Sequence, residues 1–224
     1  MPNIHSIRLS LSNAFLVIGE RPVLVDAGSP GEERKIVAAI ERAGVRLADI
    51  SVILLTHAHR DHAGSALKLK EMTGAPVALC PAEFEMLRRG HMGQLTPVRP
   101  RHKLLEPFLN RPFPGFDADL PLHEGQRLDK FGLAARVLQT PGHSSGSVSV
   151  VLDTGDALAG DLVIGGFLGG LLERRRPRLP YFAEDLPLLH ESIEKLTIAA
   201  PYKWHLGHGG PVSAETVRQA LLAE

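Results

Sequence analysis

Thr56-His57-Ala58-His59-Arg60-Asp61-His62 is the stretch on which the reading of this chain turns. Three histidines and an aspartate fill a His-x-His-x-Asp-His pattern. With 11 histidines in 224 residues, chance produces that pattern in roughly one chain in a thousand of this composition. Just before it runs Val52-Ile53-Leu54-Leu55, a continuous apolar segment of the kind that forms a strand buried on both faces. A helical pattern over 64–72 comes just after. The motif therefore stands at the carboxyl end of a buried strand, where open α/β sheets place their ligand-binding residues. His57 and His59 can face one side of the turn, and Asp61 and His62 the other. One short loop then offers ligands for two metals a few ångströms apart.

Working outward, the flanking sequence alternates short apolar runs with helical patterns. Upstream, strands over 13–18 and 23–26 are joined through Gly19-Glu20-Arg21-Pro22, which reads as a hairpin. A helix over 32–42 carries Ile36, Val37 and Ile40 on one face and stops at Gly44. Downstream, 76–80 reads as a strand. The second half repeats the grammar, with strands over 134–138, 148–152, 157–163 and 204–206, a helix over 185–196, and a last helix to 222 capped by Ser213. Strand-rich halves that each carry helices predict two sheets packed face to face with helices outside. Two stretches break the rhythm. Residues 97–121 hold six prolines and several basic side chains, a pattern that fits a surface loop or a pocket wall. Residues 165–180 open glycine-rich and contain Arg174-Arg175-Arg176-Pro177-Arg178, which fits a solvated face more simply than an anion site.

Three further polar residues sit in settings like that of the motif: His143 in Thr140-Pro141-Gly142-His143-Ser144, Asp161 in Ala159-Gly160-Asp161, and His208 in Leu206-Gly207-His208-Gly209-Gly210. Each follows a short apolar run and has glycine just before it, which permits close approach of the backbone. Together with the motif they make a ligand inventory. His205 lacks the flanking glycines of His208, and Cys80 reads as a small buried apolar residue.

On these motifs, taken in order from the 13–26 hairpin through Asp26-Ala27-Gly28 to Gly207-His208-Gly209, the chain resembles the metallo-β-lactamase-fold hydrolases. The resemblance implies an αββα four-layer sandwich of two mixed β-sheets flanked by helices, built as a single domain over 1–224. It implies His57, His59 and His143 on one metal, Asp61, His62 and His208 on the other, and Asp161 bridging both. Asp26 would support the motif loop. The cofactors expected are two Zn²⁺, with iron or manganese as substitutes. The expected chemistry is hydrolysis by a metal-bridging hydroxide, which Asp61 would orient. The carboxylic branch, glyoxalase II-like or lactonase-like, is the leading expectation: a thioester, lactone or other ester. Phosphoric esters, a β-lactam-type amide and, more distantly, a mononuclear-iron oxygenation are the alternatives. Selection among substrates is assigned to the two irregular stretches, with Phe108 and Phe113 on one wall of an apolar pocket and Tyr181 and Phe182 on the other.

Composition narrows the partners. The formal net charge is zero and hydrophobic residues make up 44%, so no global field attracts nucleic acid or an anionic membrane. The first apolar run, 14–18, is too short for a signal peptide or a membrane span. The expectation is a soluble cytoplasmic protein acting on a small molecule, with its oligomeric state open. One cysteine excludes an intramolecular disulfide.

Overall fold

The structure is a computed structural model and describes residues 2–200 and 202–222. Its strands are β1 (Asn3–Arg8), β2 (Asn13–Ile18), β3 (Pro22–Val25), β4 (Ile53–Leu54), β5 (Val77–Leu79), β6 (Leu120–Pro121), β7 (Ala135–Gln139), β8 (Val148–Leu152), β9 (Ala157–Leu158), β10 (Ile164–Phe167), β11 (Leu172–Arg178), β12 (Lys203–His205) and β13 (Val212–Ser213). The α-helices are α1 (Glu33–Arg42), α2 (Arg60–Ala63), α3 (Ala66–Thr73), α4 (Phe84–Arg89), α5 (Glu106–Leu109), α6 (Leu186–Ala199) and α7 (Ala214–Leu221).

Side-chain alternation decides the layering. Along β2, Phe15 and Val17 point into a core shared with Val137 and Val150 of the second sheet. Ala14 and Leu16 point the other way, into a core that holds Ile36 and Ile40 of α1 and Leu69 of α3. The second sheet does the same. Val148, Val150 and Leu152 of β8 face inward, whereas Val151 joins Leu189, Ile193 and Leu196 of α6. A strand's period of two makes each sheet two-faced, and both faces are covered. The result is helix, sheet, sheet, helix.

The first sheet runs β1-β2-β3-β4-β5-β6, antiparallel over its first three strands and parallel from β3 onward. The second runs β13-β12-β9-β8-β7 and is also mixed. A separate two-stranded ribbon pairs β10 with β11. Caps set the last two helices: Asp185 accepts from the Leu188 amide, and Ser213 from the Thr216 amide.

Several expectations need correction. The strand expected over 157–163 ends at Leu158, because the chain turns at Gly160 (φ 52°) and delivers Asp161 to the site. The irregular stretch at 165–180 is the β10–β11 ribbon. The helix expected over 64–72 is α3, and a separate short helix, α2, precedes it within the motif itself. Part of the 97–121 stretch is helical, a 3₁₀ segment (Pro100–Leu105) leading into α5. Strand β1 and helix α4 were not expected. Among the described residues no helix is long and apolar enough to cross a membrane.

Candidate metal centre and substrate recess

The carboxyl ends of β4, β7 and β12 and the turn after β9 converge on one cluster. His57, His59 and His143 lie with ring centroids 4.6–4.8 Å apart. His143 Nε2 and His59 Nδ1 face each other at 3.0 Å. On the other side, His208 Nε2 lies 3.3 Å from Asp61 Oδ2 and 3.0 Å from Asp161 Oδ2, and His62 Nε2 lies 3.3 Å from Asp161 Oδ1. Three groups have all their ligand atoms within 4.8 Å of one another: His57, His59 and His143; His57, His62 and Asp161; and Asp61, His62 and His208. All seven residues singled out in the sequence therefore meet, with Asp161 between the two halves.

Each imidazole is held from behind. His143 Nδ1 donates to the Phe182 carbonyl at 2.9 Å, and His208 Nδ1 to the Leu11 carbonyl at 2.7 Å. His62 Nδ1 donates to Asp26 Oδ2 at 2.9 Å. His57 Nδ1 donates to Thr56 Oγ1, whose own hydroxyl donates to Asp26. These bonds fix the tautomers and leave Nε2 of His57, His62, His143 and His208 as the inward-facing atom. Asp26 is fully buried with a positive φ of 60°, a conformation a non-glycine residue adopts only when its surroundings hold it. Its carboxylate also accepts from the Thr56 amide at 2.8 Å, so it braces the motif loop without entering the cluster.

A second buried carboxylate does similar work. Glu83 accepts from the Ala58 amide through Oε2 and from the Gly146 amide through Oε1, both at 2.9 Å. One side chain thus ties the loop of His57 and His59 to the loop of His143. Sequence reasoning missed it because both partners are backbone groups distant along the chain. Asn13 plays the same part for the last loop, donating through Nδ2 to the carbonyls of Leu206 and Gly209.

Several observations show that the cluster fits metal ions. His57 Nε2 is buried with no hydrogen-bond partner among the described residues, and His62 Nε2 and Asp161 Oδ1 face each other at 3.3 Å without an aligned hydrogen bond, a costly state for polar atoms unless something else binds them. The close Gly207 leaves the space open: a Cβ there would overlap Asp161 Oδ1. Imidazole nitrogens and carboxylate oxygens are donors suited to first-row divalent cations. Charge points the same way. Burial holds His59 and His143 at pKa values of about 4, and His57 also well below its ordinary value. Burial opposes protonation of His208 too, but Asp161 and Asp61 outweigh it and raise its pKa to about 10. The two carboxylates lie below their ordinary range, because the neighbouring His208 and His62 outweigh burial. Two ionised carboxylates in a buried centre need positive charge, here that of His208 and His62, and divalent cations would supply it in their place.

Beside the cluster opens a recess of about 100 Å³. Met92, Leu95 and Leu109 form one wall, and Ile164, Pro180, Tyr181 and Phe182 the other. The walls are joined: the Val98 amide donates to the Tyr181 carbonyl and the Ala183 amide to the Thr96 carbonyl, both at 2.9 Å. Two of the residues expected here are elsewhere. Phe108 is 67% exposed on the outer side of α5, where Leu109 turns inward in its place. Phe113 is buried in the core on the α1 side of the first sheet. Met92, Leu95 and Ile164 were not anticipated. His205, buried on β12 against the edge of Phe15, stands outside the cluster.

The family model described as the metallo-beta-lactamase superfamily matches residues 7–200. The chain belongs to this superfamily. Among relatives, the probable metallo-hydrolase YflN of Bacillus subtilis (strain 168) is 27% identical, with 97% of this chain and 88% of the relative covered. A hydroxyacylglutathione hydrolase of Rhodopseudomonas palustris (strain HaA2) is 30% identical over 86% of this chain, but the match spans only 60% of that enzyme. Among solved structures, the di-iron-bound form of TTHA1623 superposes with a TM-score of 0.69 at 29% identity, covering 97% of this chain and 98% of its own. The B3 metallo-β-lactamase BLEG-1, 24% identical, shares the fold with a TM-score of 0.72 over 98% of this chain and 97% of its own.

Proposed function

We propose that this superfamily member is a dinuclear metal-dependent hydrolase of carboxylic derivatives: thioesters, lactones or esters. The observation that carries the reading is the joining of two ligand groups through Asp161, whose Oδ1 faces His62 and whose Oδ2 faces His208 and, at 3.7 Å, His143. His57, His59 and His143 would hold one cation; Asp61, His62 and His208 would hold the other, with Asp161 shared. Zinc suits this donor set, and iron and manganese suit it as well. Such cations, when bound, bring the pKa of water toward neutrality and polarise an adjoining carbonyl oxygen. The chain's own residues supply the rest. Asp61 lines the recess beside His208 and would orient the attacking water. The tethers from Asp26, Phe182 and Leu11 hold the imidazoles in place, so little reorganisation accompanies reaction. The apolar walls exclude bulk water and hold the body of the substrate.

The hydroxyacylglutathione hydrolase relatives support thioester chemistry, and among the described residues no Lys or Arg lines the recess, which disfavours a phosphoric ester. A panel on the zinc-loaded protein tests this. Acetyl and butanoyl thioesters and a γ-lactone should exceed bis(p-nitrophenyl) phosphate in kcat/KM by at least about a hundredfold, ~2.7 kcal/mol in transition-state stabilisation. A phosphodiester turned over faster than every carboxylic substrate would overturn it.

A further inference from the structure

From the recess we infer that the substrate's body is uncharged and apolar, and that a thiol bearing free carboxylates, such as glutathione, is not the preferred leaving group. This rests on the carboxylic-hydrolase reading and narrows it. Among the described residues, the ionised groups that reach the recess are those of the metal-ligand cluster; the remaining wall is aliphatic or aromatic, plus Gly169 and Gly170. Tyr181 contributes a hydroxyl, and it accepts from the Leu168 amide at 3.1 Å.

The basic residues of the two irregular stretches stand outside the lining, as does Arg60 between His59 and Asp61. In the β10–β11 ribbon, Arg174 donates through Nε to the Gly210 carbonyl. Arg176 and Arg178 pair with Glu173, and Arg178 also stacks 3.7 Å over the ring of Phe167. Arg175 lines a separate surface depression beside α7. In the other wall, Arg99, Arg101, Lys103 and Arg111 are exposed and outside the lining. A carboxylate held against these walls, away from the metal-ligand cluster, would lose water and gain no cation, a cost that an alkyl or aryl body escapes. The wall also cannot rearrange cheaply to supply one, because the segments around Val98 and Tyr181 and around Thr96 and Ala183 are hydrogen-bonded to each other.

Two matched pairs test this on the zinc-loaded, full-length protein. The first is a thioether pair that cannot be cleaved, S-butyl-N-acetylcysteamine and S-butylglutathione, with binding measured by calorimetry. The neutral ligand should bind at least about tenfold more tightly, ~1.4 kcal/mol. Leu109→Lys, which brings a cation to the edge of the recess, should narrow or invert that ratio. Tighter binding of S-butylglutathione to the unmodified protein, or a ratio indifferent to Leu109→Lys, would overturn the inference. The second is the thioester pair with the same two thiols and a butanoyl group. Faster turnover of the N-acetylcysteamine thioester supports both readings, and faster turnover of the glutathione thioester contradicts the charge preference. Failure to cleave either contradicts the hydrolase reading and leaves the thioether result to decide the pocket.

Discussion

Gly207 lacks a side chain for a reason visible in atoms. A Cβ at that position would overlap Asp161 Oδ1 and come within 2.6 Å of His62 Cε1. Its φ is not among the positive values, so the demand for glycine there is steric. Alanine would displace the carboxylate that joins the two ligand groups while leaving the backbone conformation allowed. Gly207→Ala should therefore keep a wild-type circular dichroism spectrum and lose at least about tenfold in metal affinity, measured by competition with a chromophoric chelator. Unchanged affinity would mean that Asp161 does not depend on this space. The same residue shows what could be read beforehand: Gly-His-Gly was visible in the sequence as a close-approach signal. The identity of the atom approached was not, because Asp161 comes from a different strand.

Among the elements, the loop that enters α1 depends on a single carboxylate. Glu32 accepts from the Ser10 amide through Oε1 at 2.8 Å and from the Ser29 amide through Oε2 at 3.0 Å, with Lys35 3.2 Å from Oε1. Burial opposes its ionisation, but the two amides and Lys35 outweigh it, and its pKa lies below the ordinary 4.5. A depressed carboxyl pKa stabilises the fold above the unfolded-state value, and that contribution is lost as pH falls through the folded-state value. Glu32→Gln should accordingly lower stability by about 1–2 kcal/mol at pH 7. The gap to wild type should close as the pH is taken from 5 toward 3, as read from urea midpoints. A gap that stays constant or widens in acid would contradict the role given to the charge.

Elements differed in how far they could be foreseen, and the difference is physical. Strands β2, β4 and β8 are buried on both faces and read as apolar runs. Strand β1 is an edge strand with only Ile7 fully buried, so its alternation is faint. The β10–β11 ribbon stands outside both sheets, and most of β11 is exposed arginine and glutamate. Its pairing depends on a partner strand and on the glycines between, not on burial. The recess shows the same limit. Tyr181 and Phe182 follow the ribbon directly, but whether Phe108 or Leu109 turns inward depends on the local rotation of the short α5, which a proline-rich segment does not signal.

For the molecule as a whole, the two sheets matter because their ends supply the centre from both halves of the chain. Thr56 to His62 come from the first sheet; His143, Asp161 and His208 follow strands of the second. The Val148 amide donates to the Thr56 carbonyl at 2.9 Å, and the Asn13 amide to the Gly207 carbonyl at 2.7 Å. These bonds stitch the halves together at the centre. Cations bound there would add to stability by binding the folded state alone. The central claim is a dinuclear site shared through Asp161, and metal stoichiometry tests it most directly. Elemental analysis of protein purified without chelator and passed through a desalting column should give about two divalent metals per chain, falling to one or fewer in Asp161→Ala with the fold intact. A reproducible single equivalent in the unmodified protein, unaffected by replacing His208 with Ala, would contradict it.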